Sequence, residues 1–325
     1  MTRCTDCPRS CLAERTPQSP GFCGVSAPAG HFRVAKIMLH HYEEPFISGT
    51  TTSSGYGGST GTSGNCGGSG AVFFSGCALR CVFCQNDLIS RQGLGEEIDL
   101  DSLCSAILSL QAAGAYNVNL VTASHYIGSM PDLILTLRDA GLTIPIVWNS
   151  SAYETVSTLR ALEGLVDIYL PDFKFADDML SRQLAGAAHY SAVATRAIAE
   201  MVRQQPKPVF DKKGLMRRGT AIRHLVLPGQ WRDSLRVIDI LTGLVSPDTP
   251  LSIMSQYTPP PIEQLDAAGA ALDPQLKSQL LRRITTYEYQ KVIDHALMRG
   301  FRHILAQDRT SAVKDYTPDF RKGRS

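Results

Sequence analysis

From residue 71 onward, short apolar runs alternate with stretches whose apolar positions recur every third or fourth residue. The runs at 71–74, 117–121, 145–148, 166–170, 221–227 and 251–254 have the length and β-branched or aromatic content of buried strands. Between them the helical period predicts helices over 100–114, 130–140, 154–162, 192–205 and 234–244. A further helix is expected from Thr285 to Arg299, opened by the capping box Thr285-x-x-Glu288 and stopped by Gly300. Six strand–helix units in succession predict an α/β fold with a parallel sheet covered by outer helices. Six are too few to close an eight-fold barrel, so the expected fold class is a partial (β/α)6 barrel, with ligands at the carboxyl ends of the strands.

That rule directs attention to the polar residues ending otherwise apolar strands, which are costly unless they face a cavity or one another. They are Thr122, Ser124, His125 and Tyr126; then Asn149, Ser150 and Ser151; then Asp172 and Lys174; then Arg223 and His224; and last Ser255, Gln256 and Tyr257. Upstream of the first strand, residues 32–37 alternate well enough for one more short strand. The run His40, His41, Glu43, Glu44 that follows reads as a polar turn, solvated or at the barrel rim, with Pro45 ending any helix there.

The loop after the first strand reads Gly76-Cys77-Ala78-Leu79-Arg80-Cys81-Val82-Phe83-Cys84-Gln85-Asn86. Three thiolates at C-x3-C-x2-C can hold three irons of a cubane and leave the fourth iron without a protein ligand. An open position separates a catalytic metal site from a closed structural one. The competing readings are a zinc knuckle or chance spacing in a reduced core. A second group, Cys4, Cys7, Cys11 and Cys23 at C-x2-C-x3-C-x11-C, lies among prolines and glycines with little apolar material. Metal could supply the folding free energy missing there, and four thiolates suit zinc or an auxiliary iron–sulfur cluster equally on spacing.

The cysteine loop resembles the signature of the radical S-adenosylmethionine (radical SAM) superfamily. From Phe32 to about Phe301 the order of features is similar to the glycyl-radical-enzyme activating enzymes. It is most similar to a pyruvate formate-lyase activating enzyme-like branch with an N-terminal cysteine-rich cap. Phrases carrying the likeness include Glu43-Glu44-Pro45-Phe46-Ile47-Ser48-Gly49, Phe73-Phe74-Ser75-Gly76-Cys77, Asp167-Ile168-Tyr169-Leu170-Pro171-Asp172-Phe173-Lys174 and Arg223-His224-Leu225-Val226-Leu227-Pro228-Gly229. The resemblance implies a [4Fe-4S] cluster on Cys77, Cys81 and Cys84, with SAM on the fourth iron and Phe83 near its adenine. It implies that Asp172, Lys174 and Arg223 contact SAM or a nearby cation. Asn86, Ser124, His125, Asn149, Ser150 and Gln256 complete the expected cofactor site. The activating enzymes carry Gly-Gly-Glu-Pro after the second strand, where this chain has Thr122-Ala123-Ser124-His125-Tyr126 and no acid. Hydroxyls, carbonyls or His125 are therefore expected to meet the SAM amine.

The implied activity is reductive cleavage of SAM to a 5′-deoxyadenosyl radical that abstracts hydrogen. Its electron donor would be a flavodoxin or ferredoxin, and its target the glycine loop of a glycyl radical enzyme. Two alternatives are a radical SAM enzyme acting on a small molecule or another protein residue, and a non-catalytic zinc-binding interaction protein.

Composition narrows the partners. A net charge of +2 argues against a dedicated nucleic-acid binder, and no run approaches membrane-span length. Nine cysteines behind Met1-Thr2-Arg3, which opens no signal peptide, point to a reducing, cytoplasmic setting and to metal ligation rather than disulfides; the resemblance implies an anaerobic one. The expected divisions are a cysteine-rich cap over 1–30, a connecting segment over 31–70, the barrel over 71–310 and a tail over 311–325. The Gly/Ser/Thr-rich part of the connecting segment, residues 55–70, reads as a linker or a flexible lid. The basic stretch 207–218 reads as a solvated hairpin or a dock for an acidic partner.

Overall fold

The computed structural model describes residues 3–26, 30–49, 67–267, 272–307 and 318–320. β1 (His31–His40) lies antiparallel to β2 (Ser69–Phe74), and β3 (Glu96–Asp99) runs antiparallel along the other side of β1. From β2 the sheet continues in parallel through β4 (Val118–Val121), β5 (Ile146–Ser150) and β6 (Ile168–Pro171). β7 (Val209–Phe210) and β8 (Met216–Thr220) form a hairpin whose second strand pairs with the start of β6.

At Ala221 the chain steps on into β9 (Ile222–Leu225), and a parallel bridge between Asp172 and Arg223 hands the end of β6 to this strand. β10 (Leu251–Met254) and β11 (Ile304–Ala306) extend it in parallel. The six expected parallel strands are therefore β2, β4, β5, β6, β9 and β10, with β11 added at the margin. β1 contains the short strand expected over 32–37 and, with β3, forms the antiparallel flank of the same sheet.

Strand alternation sorts the core. Val72, Phe74, Leu120, Trp148 and Tyr169 face outward onto the helices, where they meet Leu103, Ile107, Leu133, Leu137 and Met201. Their neighbours Val147, Ile168 and Leu170 face inward. Both faces are buried, which is why the strands read as continuous apolar runs rather than alternating ones. The covering helices include Leu100–Ala112, Met130–Asp139, Tyr190–Gln204, Trp231–Thr242 and Thr286–Met298. The last opens with both halves of the expected capping box on Thr285 and Glu288. Between β5 and β6 only Val156–Arg160 is helical, capped by Thr155, so Glu154, inside the predicted span, falls outside the observed helix and is buried.

Pro45 begins a helix rather than ending one. It opens the short helix Pro45–Ser48, where its fixed φ and missing N–H cost nothing. Phe46 and Ile47 of that turn pack on Val147, Ile168, Leu170, Met216 and Ala221, filling the lower interior of the curled sheet. The same plug explains the hairpin of β7 and β8: Phe210 sets its ring edge-on to Phe46, and Asp211 pairs with Arg217 at 2.6 Å. Among the described residues no helix is long and apolar enough to cross a membrane. The linker or lid expected over 55–70 lies outside the described residues up to Cys66; Ser69 and Gly70 begin β2.

Candidate functional site

A cavity of about 230 Å³ opens at the carboxyl ends of the parallel strands, above the Phe46–Ile47 plug. Cys77, Cys81 and Cys84 line one side of it, and Asn149, Asp172, Lys174, Arg223 and Glu43 another.

The cysteine side is shaped by backbone bonds. Gly76 has φ 90°, and a Cβ there would come within 2.6 Å of the Cys23 carbonyl oxygen, so only glycine admits this close approach. The Cys77 amide donates to that same carbonyl at 3.2 Å, and the Arg80 and Val82 amides donate to Ala185 and Leu184. Gln85 Nε2 donates to the Gln256 carbonyl at 2.8 Å, tying the end of the loop to the end of β10. Burial pushes the Cys77 and Cys81 thiols up to about 12, with Lys174 pulling each of them back. Cys84 is also raised by burial, against a contact of 3.2 Å with the Ser90 hydroxyl.

The charged side centres on Arg223. Its Nε donates to Asp172 Oδ1 at 2.7 Å, its Nη2 to Asn149 Oδ1 at 2.5 Å and its Nη1 to Glu43 Oε2 at 3.1 Å. Glu44 lies 3.7 Å from the same Nη1, and Lys174 Nζ pairs with Asp172 at 2.7 Å. The Arg223 side chain is only 13% exposed, so these carboxylates are what make its burial affordable. Burial alone would raise Asp172, but Arg223 and Lys174 outweigh it and hold the carboxyl below its ordinary value. Glu44 goes the other way: burial lifts it to about 7 despite Arg223. Tyr190, fully buried, accepts from the Lys174 amide at 3.0 Å and so fixes the turn carrying both Asp172 and Lys174.

Of the expected site residues, Phe83, Asn86, Asn149, Ser150, Asp172, Lys174, Arg223 and Gln256 line the cavity together with the three loop cysteines. Ser124 and His125 do not. The turn after β4 folds back under the cysteine loop: His125 is 1% exposed, its Nε2 lies 2.8 Å from the Ser75 carbonyl, and Ser124 donates to Glu154. Thr122 lines the cavity in their place, at φ 59°. This is a positive value rarely adopted outside glycine and found where surroundings over-determine the backbone.

Glu43 was missed. His41 and Tyr42 of the polar run are exposed, but Glu43 and Glu44 turn inside, with side chains 10% and 7% exposed. The signal available in the sequence was the apolar Phe46-Ile47 directly after the acids, which pulls the turn into the barrel.

The cap covers the cysteine loop. Arg9 donates to the Ala78 and Gly186 carbonyls at 2.8 and 2.5 Å, Arg15 to the His125 carbonyl at 2.6 Å, and Arg80 reaches back to the Phe22 carbonyl at 2.6 Å. The Phe22 ring lies under both Arg9 and Arg80, at 4.1 and 4.8 Å. These bonds, rather than a core of its own, attach the cap. Among the described residues no three His, Cys, Asp or Glu side chains converge closely enough to hold a single metal ion, in the cap or in the loop.

No protein-family model matches the chain. Over 200 residues, 58% of this chain and 53% of the relative, it is 27% identical to Uncharacterized protein MJ0674 of Methanocaldococcus jannaschii. Among solved structures it is similar to Streptococcus suis SuiB bound to the precursor peptide SuiA, with TM-score 0.47, 10% identity, and 71% of this chain and 46% of that chain covered. It is also similar to SuiB bound to S-adenosylmethionine, with TM-score 0.46, 11% identity, and 74% and 50% covered. The chain thus spans about half the length of the proteins it matches.

Proposed function

We propose that this protein is a radical SAM enzyme whose cofactors occupy the cavity at the carboxyl ends of the strands, with an activity like that of the glycyl-radical-enzyme activating enzymes. One observation carries the reading: three cysteines of a C-x3-C-x2-C loop line the same cavity as the Lys174, Asp172 and Arg223 charge array. Cys77, Cys81 and Cys84 would hold a [4Fe-4S] cluster, and their chemistry fits it. They are soft ligands in one cavity wall, with the Lys174 ammonium near enough to favour their thiolates. When bound, such a cluster supplies one electron to the sulfonium of SAM, which then yields methionine and a 5′-deoxyadenosyl radical.

The protein's own groups orient and shield. Lys174 and Arg223 offer charge-assisted bonds to the SAM carboxylate. Glu43, delivered by the turn before the plug, offers the ammonium the acid that residues 122–126 lack. Phe83, with its ring 6.2 Å from Phe175 and 6.3 Å from Tyr257, presents an aromatic wall for the adenine. Burial of this wall excludes water from the place where a carbon radical would form. An electron would come from a flavodoxin or ferredoxin, and the hydrogen from a glycine in a partner protein.

The test is anaerobic reconstitution with iron and sulfide, then analysis for iron, sulfide and zinc, with 5′-deoxyadenosine release from SAM measured under strong reductant. About four irons per chain and turnover are expected. A colourless zinc protein that leaves SAM intact would remove the reading. Incubation with glycyl radical enzymes, watching for a glycine-centred radical signal, tests the activase assignment.

A further inference from the structure

The sheet does not close on itself: β3, flanking β1 and β2, forms one margin and β11 the other. Residues 318–320, next in the described chain after Gln307, lie against β1 and β2 near the first margin. Phe320 is 7% exposed and packs with Ala71, Phe73, Ile89 and Val121, its ring set edge-on to Phe73 with centroids 5.4 Å apart. Ala71 and Phe73 are alternate residues of β2, so the ring rests on the inner face of the sheet. Lys36 Nζ, on β1, donates to the Asp319 carbonyl at 3.1 Å, and Pro318 lines the cavity that holds the three cysteines. Gln307, by contrast, belongs to the opposite margin, where its side chain accepts from the Ser255 amide at 3.1 Å.

We propose that the apolar pocket of Ala71, Phe73, Ile89 and Val121, with Lys36 beside it, is a subsite for a bulky apolar residue of an extended polypeptide substrate, occupied in the resting protein by Phe320 of its own tail. The contacts are those any peptide offers: one large apolar side chain and one backbone carbonyl. The strap is held by one aromatic side chain and one ammonium–carbonyl bond against the entropy of ordering three residues, terms of similar size, so a competing segment can displace it. The inference rests on the radical SAM reading, with its polypeptide target, for what enters, and it adds where such a chain would seat a large apolar side chain.

The experiment uses the full-length, reduced, metal-free chain and follows iodoacetamide alkylation of each cysteine by peptide mass mapping. Phe320→Ala is expected to raise the rate at Cys84 several-fold while leaving buried Cys104, outside the cavity, unchanged. A synthetic peptide of residues 314–325 should slow Cys84 again in the variant, and the same peptide with alanine for its phenylalanine should not. An unchanged Cys84 rate, equal acceleration at Cys104, or no protection by the peptide would each overturn the proposal. Because this readout needs no cluster and no SAM, its failure leaves SAM cleavage to be judged separately. Conversely, protection by the peptide in a protein that never cleaves SAM would remove only the radical reading.

Discussion

The chain carries two cysteine groups whose spacings are near mirror images, C-x2-C-x3-C at Cys4, Cys7 and Cys11 and C-x3-C-x2-C at Cys77, Cys81 and Cys84. The fold treats them differently. The second group ends β2 and lines a cavity whose far wall is Arg223, Asp172, Lys174 and Glu43. The first, with Cys23, lies in a cap whose described residues form no helix, pinned to the barrel by Arg9, Arg15 and Arg80 and lining none of that cavity. They meet where Cys77 donates its amide to the Cys23 carbonyl. Spacing shows that thiols can ligate. What they ligate for is decided by the groups across the cavity from them.

The comparison breaks most sharply at the cysteines themselves. Cys77→Ala, Cys81→Ala and Cys84→Ala are each expected to abolish iron incorporation at the loop and SAM cleavage. Cys4→Ala should keep cleavage while lowering stability or the content of any auxiliary metal. Unchanged turnover in a loop variant would reverse the assignment of the two groups.

Next in size is Arg223→Met. It leaves Asp172, Glu43 and Glu44 buried without their shared cation, and the expected loss is about 3–5 kcal/mol in denaturant unfolding of the metal-free chain. A loss below about 1 kcal/mol, the value of an exposed pair, would mean that water reaches the charged wall.

Acid sharpens the contrast on the cap side. Burial lowers His125 to about 4, so the folded protein holds it neutral while the unfolded chain protonates it near 6.5. Its contribution to stability is therefore complete above pH 6.5 and lost as pH falls toward 4, at up to about 1.4 kcal/mol per pH unit. Buried His40 and His224 act in the same window and direction. Glu44, raised to about 7, opposes them, since its stabilisation grows as pH falls. His125→Gln should flatten the acid limb of the stability–pH curve measured by thermal unfolding; an unaltered limb would place the proton elsewhere.

The smallest effect is expected from Arg9→Ala. Losing the bonds to Ala78 and Gly186 and the stack on Phe22 should cost about 1–3 kcal/mol. It should show as faster proteolysis within residues 3–26 while the barrel stays intact.

Much of this was legible beforehand, for physical reasons that differ by residue. The parallel strands were readable because both faces of the sheet are buried, which forces unbroken apolar runs such as Val118–Val121 and Leu251–Met254. β3 was not, because an exposed edge strand such as Glu96–Asp99 carries charges and no apolar run; the hairpin of β7 and β8 was legible only as one of two readings of the basic stretch 207–218. At the site, the rule of strand carboxyl ends placed Asn149, Asp172, Lys174 and Arg223 in the cavity wall, since a strand end has few directions to face. It failed at Ser124 and His125, where the chain leaves β4 through a 3-10 turn, Ser124–Ser129, that folds beneath the cysteine loop.

What the sequence determined by itself is therefore the local matter: the order of elements, the caps, and the three thiols within eight residues. Those follow from periodicity and spacing, which are properties of neighbours along the chain. Only the tertiary structure decided that Glu43 and Glu44 meet Arg223, that the Cys23 carbonyl meets Cys77, and that Phe320 lies against Phe73. Those contacts join residues 180, 54 and 247 positions apart, counted from their numbering. They depend on where the curled sheet closes, where the Phe46–Ile47 plug fills it and which margin is left open, and no local pattern encodes that geometry.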